Sequence, residues 1–146
     1  MIIHDKDCFL LDLDGTLLDL KFDHKFWFEH VVLCFSQKEK IEFEDAKNTL
    51  SELYKNERGT LKWYCTDYWS EKLGLDLKRI TETYMNDIQD FEGTHTFLAN
   101  LQSMKKTIII VSNAHRDTIN IKLTKTKLWG YFDDVISSHD FGYPKE

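Results

Sequence analysis

The spacing of apolar residues changes period twice along the chain. A short run, Cys8-Phe9-Leu10-Leu11, stops at the turn Asp12-Leu13-Asp14-Gly15-Thr16. A brief apolar run closed by a glycine turn predicts a strand over 7–13, covered on both faces in a parallel sheet. From about Leu20 to Asp90 the spacing is helical. Phe22, Phe26, His30 and Leu33 form one stripe, and Phe43, Ala46, Leu50, Leu53 and Tyr54 a second. Leu61, Tyr64, Cys65, Tyr68 and Trp69 form a third, ended by Gly74, and a fourth helix is predicted from Leu77 to about Asp90. No convincing strand interrupts them, so they are expected to pack as a small bundle.

Alternation of helix and strand returns at Gly93. Phe97, Leu98, Leu101 and Met104 mark a helix, and Ile108-Ile109-Ile110-Val111 a β-branched strand ending at Ser112-Asn113. A helix is predicted from about Arg116 to Lys127, then a short strand over Asp134-Val135-Ile136-Ser137. This order implies parallel pairing with crossover helices. The simplest architecture is an open α/β sheet with a helical segment inserted after its first strand.

Composition narrows the function. The 146 residues carry 19 Lys and Arg against 25 Asp and Glu, a net charge of −6. That balance argues against a partner bound through a nucleic-acid backbone, while one local site can still hold a small phosphate. The longest apolar run, Val31 to Phe35, is too short to span a bilayer, so no membrane partner is expected. Three cysteines, Cys8, Cys34 and Cys65, lack C-x-x-C spacing, which points to a reducing, cytoplasmic compartment.

The chemistry concentrates at Asp12 to Thr16. Carboxylates two positions apart at a strand end share one side. Burying two like charges together is costly, and a metal or a shared proton relieves the cost. The carboxyl end of a parallel strand is also where open α/β sheets bind ligands. Gly15 lets the backbone turn sharply. A plain strand-end turn, with the aspartates capping nearby amides, is the competing reading. A calcium loop is excluded, because Leu17 and Asp23 stand where its glycine and bidentate glutamate belong. Ser112-Asn113 offers a hydroxyl and amides before a helix, an anion seat or an ordinary cap. Neighbouring His115 and Arg116 are phosphate contacts or a solvated helix start. Lys145, alone, reads as a terminal surface lysine. The aromatic stretch Trp63 to Trp69 reads mostly as packing, with one or two rings free to stack on a planar base; Asp23 and Trp27 are placed to line the same cleft.

Together these motifs resemble the haloacid dehalogenase (HAD) superfamily, subfamily I. Asp12 to Thr16 is similar to its first motif, Ile108 to Ser112 to its second, and Pro144-Lys145 to its third. The interval between Thr16 and Ser112 leaves room for a helical cap. Within the family, the stretches Leu11 to Leu20, Trp63 to Glu71, Ser112 to His115 and Phe141 to Glu146 resemble the bacterial GMP/IMP nucleotidase branch. The resemblance implies a three-layer, HAD-like Rossmannoid parallel sheet over 1–19 and 91–146, with an α-helical cap over 20–90. A fourth motif, an acidic pair after another strand, is expected beyond Lys145, so the core reads as incomplete at its C-terminal side. The first strand is then an open sheet edge that invites dimerisation.

The resemblance also implies a mechanism. Asp12 attacks phosphorus and forms an aspartyl-phosphate, while Asp14, held protonated, serves the leaving alcohol and then the hydrolytic water. Mg²⁺ is held through Asp12 and Asp14. Gly15, Thr16, Ser112, Asn113 and Lys145 bind the phosphoryl group; Asp23, Trp27, Trp63 and His115 contact the substrate. The expected activity is a magnesium-dependent 5′-nucleotidase for GMP and IMP. The alternatives are a HAD phosphatase for sugar phosphate or phosphoglycolate, and a non-catalytic phosphate-binding or interaction module. Without the fourth motif this chain is expected to be weakly active or inactive.

Overall fold

The computed structural model describes residues 5–145. Residues 1–4 of the expected first core segment and Glu146 of the last motif lie outside them. Three parallel strands form one sheet in the order β1 (Cys8–Leu11), β2 (Thr107–Ser112), β3 (Asp134–Ser137). Leu11 pairs with Ile110, and Ser112 with Ser137, so the strands end side by side. In β2 every second residue is buried: Ile108, Ile110 and Ser112. Of the six α-helices between β1 and β2, the first five form the cap: α1 (Lys21–Lys25), α2 (Val31–Glu39), α3 (Phe43–Glu57), α4 (Thr66–Leu73) and α5 (Leu77–Tyr84). Then α6 (Thr94–Ser103) leads into β2, and α7 (Arg116–Thr126) joins β2 to β3.

Several expectations are corrected. The first strand is shorter than predicted and is not covered on both faces: Phe9 is buried, whereas Leu10 is 66% exposed. Alternate residues of a strand face opposite sides, and β1 is an edge strand among the described residues. The first helical stripe also shifts. A π-helical turn, Phe26–His30, sits between α1 and α2. It adds one residue to the helical repeat, so Phe22 and Phe26 are followed inward by Val31 and Val32 rather than by His30 and Leu33. The third stripe splits into a 3₁₀ turn, Leu61–Tyr64, and α4, whose first turn is capped by the Cys65 Sγ accepting from the Tyr68 amide.

The fourth helix stops at Tyr84 because the chain must return to the sheet. The amide of Asp19 donates to the Gln89 carbonyl (2.9 Å), and that of Phe91 to the Leu17 carbonyl (3.0 Å). This antiparallel bridge between Leu18 and Asp90 joins the cap's entry to its exit, beside the Asp12–Thr16 turn. Phe97, expected inside, is exposed, while Leu98 and Leu101 of the same helix are fully buried.

Candidate active site

Leu13 is fully buried between Asp12 and Asp14, which anchors the turn and leaves both acids at the sheet's rim. Gly15 adopts φ +77°, a conformation that strains other residues. Its amide donates to the Leu18 carbonyl (2.8 Å), and the Thr16 amide to the Leu13 carbonyl (3.4 Å). Both amides expected to meet a phosphate are therefore engaged within the turn.

Asp12 accepts from its neighbour's amide, Leu13 N (2.8 Å), and pairs with Lys145 Nζ at 2.6 Å. This contact joins the first and last motifs of the chain. What places Lys145 is the end of β2. The Asn113 Oδ1 accepts from the Lys145 amide (2.8 Å) and from the Ser138 hydroxyl (2.7 Å). The Ser137 hydroxyl donates to the Ala114 carbonyl (2.8 Å), and a capping box between Ser137 and Asp140 closes the turn after β3. Asn113 thus fastens the loop that carries the lysine. Ser112 is buried, and its Oγ accepts from the Ala114 amide (3.1 Å).

Asp14 does not pair with Lys145. Its Oδ1 accepts from Lys122 Nζ of α7 (2.6 Å), which also donates to Asp23 Oδ1 of α1 (2.6 Å). Lys122 is 1% exposed and was not singled out by sequence. Burial pulls its pKa down, but the two carboxylates outweigh that and the net direction is up. Burial raises the Asp23 carboxyl, Lys122 opposes the rise, and Asp14 adds to it. The other Asp23 oxygen, Oδ2, is buried with no hydrogen-bond partner among the described residues.

Between cap and core lies a cavity of about 330 Å³. Asp14, Asp23, Trp27, Trp63 and His115 line it, together with Phe26, Tyr64 and Thr66. Four of the sequence-expected substrate contacts thus share one chamber with Asp14, whereas Asp12, Ser112, Asn113 and Lys145 do not line it. Trp27 and Trp63 stack with centroids 6.3 Å apart, while Trp69 is fully buried as packing. His115 spans cap and core: its Nδ1 shares a hydrogen bond with Thr66 Oγ1 (3.0 Å), and its Nε2 lies 3.3 Å from Asp67 Oδ2.

Two donor sets could hold a cation. Asp12 and Asp14 offer oxygen alone, which suits a hard ion such as Mg²⁺ completed by water and substrate. Asp67, His115 and Asp117 offer ligand atoms within 4.8 Å of one another; this mixed nitrogen–oxygen set suits softer divalent ions better. Sequence reading passed over the second set because Asp67 is far from the other two along the chain.

Residues 9–145 match the family model described as haloacid dehalogenase-like hydrolase. The chain is 41% identical over 142 residues to the GMP/IMP nucleotidase YrfG of Escherichia coli K12 and, equally, to that of Shigella flexneri. The match takes in 97% of this chain and 64% of each relative, so the chain spans less than two thirds of their length. Among solved structures, a HAD phosphatase from Thermococcus onnurineus is similar at a TM-score of 0.80 and 25% identity, over 92% of this chain and 63% of its own. The HAD-hydrolase YfnB from Bacillus subtilis, bound to magnesium, shares the fold at a TM-score of 0.59 and 21% identity, over 94% and 67%. With three motifs in order, a parallel sheet whose rim gathers Asp12 and Lys145, and a helical cap above it, the chain belongs to the haloacid dehalogenase-like hydrolases.

Proposed function

We propose that this chain carries a phosphomonoesterase site for purine 5′-nucleotides, with GMP and IMP as substrates. The observation that carries the reading is the 2.6 Å contact between Asp12 and Lys145, beside an aromatic chamber that Asp14 also lines. Asp12 attacks phosphorus in line, and the phosphorus–oxygen bond to the nucleoside breaks. Asp14 gives its proton to the departing 5′-oxygen, then takes one from the water that hydrolyses the aspartyl-phosphate. Lys145, with Ser112, neutralises the phosphoryl oxygens, and Asn113 holds Lys145 in place. Asp12 and Asp14 would hold Mg²⁺, which supplies further positive charge when bound.

The chamber supports the nucleotide over a sugar phosphate. Trp27 and Trp63 offer flat apolar faces for a base, and Asp23 Oδ2 lacks a donor that a substrate N–H or hydroxyl would supply. His115 faces the same space. The free thiols of Cys8, Cys34 and Cys65 suit a reducing compartment such as the cytoplasm. The outer edge of β1 has no strand partner among the described residues and offers a second copy of the chain a place to dimerise.

The test is phosphate release from GMP, IMP, a sugar phosphate and phosphoglycolate with MgCl₂. Purine nucleotides are expected to be preferred, and Asp12→Asn is expected to lower turnover about 10³-fold or more with the fold intact. Equal turnover by Asp12→Asn rejects the nucleophile. Binding of inorganic phosphate without turnover of any ester would instead identify a binding module.

A further inference from the structure

Lys122 is fully buried, yet it carries a charge and two acids. Its Nζ makes contacts of 2.6 Å to Asp14, in the turn after β1, and to Asp23, in the first cap helix. The two carboxylate oxygens are therefore within about 5 Å of one another, with one cation between them. The Phe22 ring covers the ammonium, its centroid 5.8 Å from Nζ. Burying such a cluster is a poor route to stability, because apolar side chains of the same volume commonly do as well or better. The arrangement does, however, join three parts of the chain: core turn, core helix and cap.

We propose that Lys122 is a positioning residue that aligns Asp14 through a contact shared with Asp23. Asp14 and Lys122 both belong to the core, and docking of α1 brings Asp23 to the same ammonium as a second acceptor. Cap docking thus sets the ammonium between two acids, and with it the position of Asp14; an open cap takes Asp23 away and leaves Lys122 with Asp14 alone. The role given to Asp14 rests on the nucleotidase reading; the cap-to-core link does not.

The experiment uses the full chain and the variants Lys122→Met, Asp23→Asn and their double. Thermal midpoints test the link. Asp23→Asn is expected to lower the midpoint in the wild-type background and not in the Lys122→Met background, where the shared contact is already gone. Equal lowering in both backgrounds overturns the proposal. Kinetics test the positioning. With IMP and MgCl₂, Lys122→Met is expected to lower kcat about 100-fold with KM little changed. The burst of para-nitrophenolate from para-nitrophenyl phosphate should survive, since that leaving group needs no proton. Loss of the para-nitrophenolate burst together with IMP turnover, or unchanged IMP turnover, overturns the positioning role. Where Lys122→Met does not fold, Lys122→Gln carries the same comparison. A wild-type chain that neither turns over these substrates nor binds IMP rejects the nucleotidase reading, and the midpoints alone then decide the link.

Discussion

Single residues show where sequence reading reaches and where it stops. Asp12, Asp14 and Ser112 stand out in the sequence because each sits at the end of an apolar run or beside a turn residue, whereas Lys145 reads alone as a surface lysine and gains a role only through the family resemblance. Lys122 was not, because its partners lie 108 and 99 positions away. One signal existed: Lys122 falls three residues after Ile119 and next to Leu123, on the buried face of α7. A lysine within an apolar stripe asks for a buried acid. Titration adds a test at this scale. Burial lowers the pKa of His139, helped by His115, while Asp140, Asp67 and the Asn113 backbone oppose the shift. Burial likewise lowers His30, against Asp87 and Glu29. Both rings fold neutral, so below the ordinary histidine value of 6.5 the unfolded chain binds protons that the folded one resists. Stability is expected to be full above that pH and to fall as acid carries it downward through the lowered folded values. Urea midpoints from pH 7.5 to 5 check this, and His139→Gln should flatten the slope.

At the scale of elements, type was more legible than extent. β2, β3 and α7 fall within a residue or two of their predicted places, and α6 lies where Phe97, Leu98 and Leu101 mark a helix, since each has a clear apolar period and a defined end. The cap was read less well, for a physical reason: helices that pack on each other and on the core can trade regular repeat for contact. Thus the π turn displaced the buried stripe, and the Tyr64–Cys65 step divided a predicted helix. Local capping helps fix where a cap helix starts. Asp76 accepts from the Arg79 amide (3.0 Å) at the head of the eight-residue α5. Asp76→Ala is expected to cost about 1 kcal/mol of stability, measured by urea denaturation, with kcat per folded molecule unchanged.

At the scale of the whole molecule, the sheet explains both the site and an exposure. Strands ending in register bring residues from opposite ends of the sequence to one rim, so Asp12 and Lys145 meet. The same order leaves β1 with a free edge among the described residues and Leu10 open to solvent on its flank. The dimer proposed above is tested by sedimentation velocity: concentration-dependent association that Leu10→Lys abolishes supports it, because a charge on an edge strand opposes pairing. A monomer at all concentrations would reject the edge as an interface.

The π turn at Phe26–His30 has a consequence for how this cap tolerates insertions and deletions. Each helical residue advances about 100°. Deleting one residue there restores an even spiral and keeps Phe22 and Phe26 on the same face as Val31 and Val32, because the wide turn already absorbs the extra residue. A lost Glu29 codon would thus leave Asp23 facing Lys122 and every aromatic ring in place, with one fewer residue in the rod. The irregular turn is a phase adjuster, letting one continuous rod answer to the sheet at its head and to the bundle at its tail.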